Sequence, residues 1–227
     1  RSAHDLLDRH RSEPLSANAG LLEDIRAEIG RMERLTDDLL TLARSDQGSL
    51  YLEVGDVDLS ALSKDVVALT TPLAKDRQVD LEFKAQRPVP LIEGDPDRIQ
   101  QVLLILVDNA LKHTPPGGRV TVSTRGQGRE VTIDVADTGE GIAPEHLPRL
   151  FDRFYRADSA RGRIHGGTGL GLAIARSVVE AHGGHLSVAS QLGSGTTITA
   201  HFPVTRKRSS LVNRFQRLAA RVTAIRP

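Results

Sequence analysis

The stretch "DPDRIQQVLLILVDNALKHT", residues 95 to 114, constrains the fold more than any other. Read as one helix, it puts Ile99, Leu103, Leu106 and Ala110 on a single face at steps of four, three and four, the spacing of a stripe that must be buried against another layer. Asp95 offers an N-cap, and Pro96 follows at the first helical position. The far end breaks the apolar pattern. Asn109 and Lys112 lie three apart beside the stripe, on the ridge that carries Ile105 one turn earlier. An amide oxygen there can complete an octahedral magnesium sphere otherwise made of waters and phosphate oxygens, and a lysine one turn on can neutralise phosphate charge. A solvated helix edge is the plainer alternative.

Two kinds of pattern flank this helix. Upstream, Leu22, Ile25, Ile29, Met32, Leu39 and Ala43 follow steps of three and four, with Thr36 in the one missing place. This is a seam for another helix, and a bundle or dimer hairpin is expected ahead of a helix packed only on its own domain. Pro14 and "SANAG" read as a turn, which leaves residues 1–12 as a stub too short for a full hairpin partner. After "SDQGS" the chain reads as alternating strands and helices: a strand over Leu50 to Val57, a helix over Leu59 to Lys75, strand material at Val79 to Phe83 and Val89 to Ile92, then "RVTVSTRG" and "EVTIDVAD" with a turn at Gly126 to Gly128. A helix from Gly169 to His182 and the strands "HLSVAS" and "TTITAHF" complete it. The expected fold is α+β, a two-layer α/β sandwich with helices on one face of a mixed sheet, preceded by a helical hairpin segment. The expected divisions are 1–46, 47–204 and a basic tail at 205–227.

Charge excludes one class of function. The net charge of +1 hides seven basic residues from Arg206 onward, with no acid among them, and removing those seven leaves −6 for the rest. The body is therefore no nucleic-acid binder, and aromatics at 3% provide no base-stacking platform. The absence of cysteine fits a reducing compartment, and no apolar run approaches the length of a membrane span, so a cytoplasmic chain is expected. The chain opens with Arg1 and reads as a fragment or processed product whose parent protein could carry a membrane anchor. Within the tail, Leu211, Phe215, Leu218 and Val222 fall at steps of four, three and four among arginines. A short basic amphipathic helix touching an anionic membrane surface is one reading, and a solvated end the other.

Two further stretches carry chemistry. "DTGEGI" ends a strand on Asp137 and follows it with Gly139 and Gly141, so a carboxylate sits where the backbone turns and a ligand can approach. "GGTGLGLAI" leads a glycine-rich loop into a helix, whose free N–H groups suit phosphate. It does not fit a dinucleotide fold, which needs those glycines between the first strand and helix of a βαβ unit.

The order amide helix, "DTGEGI", "LFDRFYRAD", "GGTGLGLAI" resembles the asparagine, first glycine, phenylalanine and second glycine boxes of the histidine kinase branch of the GHKL (Bergerat-fold) ATPases, the class of gyrase B and MutL. "GDPDRIQQVLL" and "GGHLSVASQLGSGTTITAHFPV" are similar to the flanks of those boxes, and "RMERLTDDLLTLARSD" resembles the second helix of the dimerisation hairpin, so the likeness spans residues 20 to 204. The resemblance implies ATP and magnesium as ligands. It implies that Asn109 ligates the metal, that Asp137 accepts from the adenine amino group, and that Lys112 and His113 line the phosphate side, histidine standing where tyrosine is common. Gly139, Gly141 and Ile142 would admit the nucleotide, and Arg156 would reach the terminal phosphate. Gly167, Thr168, Gly169, Leu170 and Gly171 would cradle the phosphates, and the loop from Ala157 to Gly166 would close over ATP. The implied catalytic residues are Asn109, Lys112 and Arg156, and the implied partners are a response regulator and a second copy or partner chain through the hairpin helix.

Two departures qualify the match. Ile105 stands where the family usually has a second asparagine and hydrolytic relatives a glutamate, and isoleucine can neither ligate a metal nor move a proton. The family's phosphoacceptor pattern, histidine, acid, two residues, threonine or serine, proline, is matched by neither His4 nor His10. The acceptor is expected upstream of Arg1 or on another polypeptide. The competing readings are a pseudokinase that holds ATP as a conformational ligand and a serine kinase of the anti-sigma type, against which the hairpin helix and "FDRFYRAD" argue.

Overall fold

The computed structural model describes residues 19–46, 50–85, 89–156 and 168–204. Expectations for the stub at 1–12, His4, His10, the loop 157–166, Gly167 and the tail fall outside them. The elements are α1 (Ala19–Asp46), β1 (Gly55–Val57), α2 (Leu59–Asp76), β2 (Asp80–Ala85), β3 (Ile92–Gly94), α3 (Pro96–His113), β4 (Arg119–Gln127), β5 (Glu130–Asp137), a 3-10 turn (Leu147–Arg149), α4 (Gly171–Ala181), β6 (His185–Gln191) and β7 (Gly195–Pro203). Among the described residues no helix is long and apolar enough to cross a membrane.

The main sheet runs β2-β4-β5-β7-β6, with β2 parallel to β4 and every other pair antiparallel. Its inner face follows the period of two. Val120 and Val122, Val131, Ile133 and Val135, and Ile198, Ala200 and Phe202 are buried, and Thr121, Ser123, Asp134 and Thr199 on the alternate positions are partly exposed. Helices α2, α3 and α4 cover the inner face. This is the expected two-layer sandwich.

Helix α3 is the spine of the helical layer. Ile99, Leu103, Leu106 and Ala110 are buried as their spacing requires, joined by Val102, Val107 and Leu111. Each large apolar side chain taken out of water here contributes about 1.5–3 kcal/mol before entropy is counted. Asp95 caps the helix, its Oδ1 accepting the N–H groups of Asp97 and Arg98 at 3.1 Å each. The backbone N–H of Asp95 donates to Nε2 of His182, 2.9 Å away, and Nδ1 of that ring lies 2.8 Å from the Val178 carbonyl. One imidazole ring thus ties the end of α4 to the start of α3. The helix stops at Thr114, which is extended as a residue before proline must be.

The strand expected over Leu50 to Val57 is only Gly55–Val57, and that expected over Val89 to Ile92 is Ile92–Gly94. The two pair with each other, away from the main sheet. Pro90 has no N–H to give a ladder, and the N–H of Glu53 goes to Asp95 Oδ2 at 2.9 Å instead of to a strand.

Helix α1 divides its faces. Thr41 and Leu42 are buried, Leu35 packs against the core, and the helix lies on α4. The seam residues Ile29, Met32 and Leu39 are about half exposed or more.

Candidate functional site

The C-terminal half of α3 is where the chemistry-bearing segments meet. At its last residue, the backbone carbonyl of His113 lies so close to Gly139 that a Cβ there would sit 2.2 Å from its oxygen. Only glycine lets the loop after β5 pass. One step on, the N–H of Glu140 points at the same carbonyl at 3.4 Å, and His113 Nδ1 is 3.1 Å from Glu140 Oε1. Two turns earlier, Ile105 is half-buried with a methyl against Gly171, the first residue of α4. The third contact is made through the loop that leads into α4. Phe154 donates its N–H to Gly169 at 2.9 Å, which draws the "LFDRFYR" segment to the same place.

Asp137 ends β5 with one oxygen committed and one open. Oδ1 accepts from the N–H of Gly139 at 2.8 Å and of Thr196 at 3.1 Å, and no described residue donates to Oδ2. Burial pushes this carboxyl above the usual range, outweighing the two amide donors and the nearby His113. A half-buried carboxylate with a free acceptor atom suits a neutral hydrogen-bond donor such as an amino group.

Asn109 is partly exposed beside Ile105, and its amide has no partner among the described residues. No group of three or more metal-ligating side chains occurs among them either. A divalent ion held by Asn109 would take an amide oxygen from the protein and draw on ligand and water for its sphere, as magnesium commonly does. Lys112 is ion-paired with Asp108, whose other oxygen lies 3.9 Å from Arg77 Nη2. The start of α4 has no side-chain cap, so among the described residues its first N–H groups are left without a capping side chain where Thr168, Gly169 and Leu170 lead into the helix.

The segment before the loop is braced. Tyr155 OH is 2.7 Å from His146 Nδ1, the Arg149 guanidinium lies 4.5 Å over the Tyr155 ring, and Arg149 Nε is 3.5 Å from Asp152. A cavity of about 430 Å³ is lined by Arg149, Arg153, Phe154, Tyr155 and Arg156. Arg156 thus belongs to a strongly basic recess next to the second glycine loop.

Sequence reading named most of these residues and missed Ser190 and Thr196. Ser190 Oγ accepts the N–H of Ile142 at 2.8 Å, donates to the Gly195 carbonyl at 3.0 Å and meets Thr196 Oγ1 at 2.8 Å. It fastens the first glycine loop to the β6–β7 turn, from which Thr196 reaches Asp137. The signal was present: Thr196 occupies the inward place of the alternation Ile198, Ala200, Phe202, a polar residue where an apolar one is expected.

Residues 94–206 match the family described as "Histidine kinase-, DNA gyrase B-, and HSP90-like ATPase". The chain is 40% identical over 187 residues to the sensor protein DivL of Caulobacter vibrioides, covering 82% of this chain and 24% of DivL. It is 43% identical over 181 residues to the sensor histidine kinase YkoH of Bacillus subtilis, covering 80% of this chain and 38% of YkoH. Among solved structures, full-length ShkA in complex with AMPPNP superposes with a TM-score of 0.74 at 30% identity, over 88% of this chain and 41% of that one. The chain thus spans well under half the length of the relatives it matches.

Proposed function

Because the chain belongs to the sensor histidine kinase branch of the histidine kinase-, DNA gyrase B- and HSP90-like ATPases, we propose that it is the catalytic region of a two-component sensor kinase. It binds Mg-ATP, moves the γ-phosphoryl group to a histidine on a helical hairpin, and supplies a response regulator's aspartate from there. The observation that carries this reading is the convergence of both glycine loops and the arginine-rich segment on the end of α3, around Asn109. The AMPPNP held by ShkA supports the choice of nucleotide.

In this reading Asp137 Oδ2 takes the adenine amino group, and Gly139, Gly141 and Ile142 form the wall that the base passes. The N–H groups of Gly169 and Gly171, with Gly167, Thr168 and Leu170, whose own N–H donates to Thr168 Oγ1 at 3.3 Å, hold the phosphates at the positive end of α4. Magnesium, held by Asn109, would screen the charge between the phosphates. Lys112 and Arg156 neutralise what remains, and His113 lines the same side. Transfer breaks the bond between the γ-phosphorus and the ADP oxygen and forms one to an imidazole nitrogen, so positioning and charge neutralisation are the protein's whole task. Ile105 cannot activate water, and its methyl packs on Gly171, so the site favours transfer over hydrolysis.

The same reading divides the chain into a partial hairpin at 1–46, the ATP-binding domain at 47–204 and the basic tail at 205–227. The uncovered seam of α1 is the contact for a second copy or partner chain, and the tail touches an anionic membrane surface. Co-sedimentation with anionic and neutral vesicles, with and without residues 206–227, tests the tail, and equal binding by both chains rejects its membrane role. The test of the main reading is incubation with γ-labelled ATP. The chain alone should bind ATP and take up no label, and it should label an added hairpin that carries the acceptor pattern. Stable label at His4 or His10 would overturn the placement of the acceptor, and binding without transfer to any hairpin would mark a pseudokinase.

A further inference from the structure

Asp108 is unexplained by the roles above, although it precedes Asn109 and holds the lysine of the site. Its carboxylate is ion-paired through Oδ2 with Lys112, one turn on, and lies through Oδ1 at 3.9 Å from Arg77, which follows the end of α2. All three side chains are between 30% and 40% exposed. Around α3, Lys112 stands four residues from Asp108 and three from Asn109, so its ammonium lies on the ridge between them and can reach either side. Asp108 itself is turned by 100° from Asn109 and does not share its direction.

Resting on the nucleotide reading, we propose that Asp108 is a positioning residue that holds Lys112 in the empty site, and that phosphate binding exchanges this carboxylate for a phosphate oxygen. Arg77 makes the exchange cheap, because Asp108 keeps a counter-ion after Lys112 has left. The ion pair then competes with phosphate and with nothing else. It sets how steeply affinity rises with phosphate content and has no effect on recognition of the base.

The experiment compares binding of Mg-ATP and adenosine to the full chain, to Asp108→Asn, to Lys112→Met and to the double variant, with a thermal melt of each. Asp108→Asn should tighten ATP by about two- to fivefold, the strength of a part-exposed ion pair, and leave adenosine unchanged. In the Lys112→Met background the same substitution should lose most of that gain, because no lysine remains to be released. Weaker or unchanged ATP binding by Asp108→Asn overturns the proposal, and so does an equal gain with Lys112→Met, which would reduce Asp108 to a general negative charge. Asp108→Ser repeats the comparison should the asparagine melt early. If the unsubstituted chain binds neither ligand, the nucleotide reading itself has failed, a result distinct from the others.

Discussion

Phe154 and Gly169 are locked backbone to backbone: the N–H of Phe154 meets the Gly169 carbonyl at 2.9 Å, and a Cβ on Gly169 would lie 2.9 Å from the Cα and carbonyl carbon of Phe154. Both residues have positive φ, +60° and +73°. Gly169→Ala therefore meets two costs, about 1–2 kcal/mol for a side chain in the left-handed region and a further steric cost, since a backbone neighbour cannot rotate away. Gly193, at φ +77° with nothing within 4 Å, bears only the first. Denaturant unfolding should place Gly169→Ala clearly below Gly193→Ala in stability, and equal losses would show that the contact yields.

Asp95 should be the carboxylate whose loss is felt most in the helical layer. It is 6% exposed, and burial pushes its pKa up, but the N–H groups of Glu53, Arg98 and Asp97 prevail and hold it below the usual range. A depressed folded-state pKa contributes stability that is present above the unfolded value and is lost as pH falls through the folded one. Asp95→Ala should cost about 1–2 kcal/mol at neutral pH, the range for an N-cap, with the gap narrowing in acid. Melting curves across pH read this directly, and a gap that stays constant into acid would mean that the charge of Asp95 is irrelevant.

The pH dependence of Asp137 runs the other way. Its folded pKa is raised by burial, so the folded chain binds the proton more tightly than the unfolded one, and stability falls as pH climbs from the unfolded value through the folded one. Asp137→Asn removes that loss. Without nucleotide, the variant should melt no lower than the unsubstituted chain at neutral pH, and its relative advantage should shrink below the carboxylate range. A variant that melts well below the parent at neutral pH would show that the amide cannot replace the carboxylate toward Gly139 and Thr196.

Most of the fold was legible because its signals are periodic. The stripe of α3 and the alternation in β4, β5 and β7 state which face is buried, and the Asp95-Pro96 pair marks a helix start. The short β1 and β3 were not legible at their true lengths, because in their antiparallel register Val54 and Glu53 would face Asp95 and Pro96, where α3 begins, and Pro90 would face Leu59, where α2 begins. The glycine loops and Asp137 stand out by composition. Ser190 and Asp108 do not, since what each does depends on a distant neighbour, the Ile142 N–H in one case and Arg77 in the other.

Calorimetric titration of Mg-ATP into the chain and into Asp137→Asn shows whether Asp137 opens a nucleotide site at the end of α3, as proposed. The asparagine puts an N–H₂ donor where the adenine amino group needs an acceptor, which should cost about 1–3 kcal/mol, or about five- to 150-fold in Kd. The unsubstituted chain should bind, and the variant should show a loss of that size while still melting cooperatively. Equal affinities would rule out a role for Asp137 in the nucleotide site and leave it as a turn residue that accepts from Gly139 and Thr196.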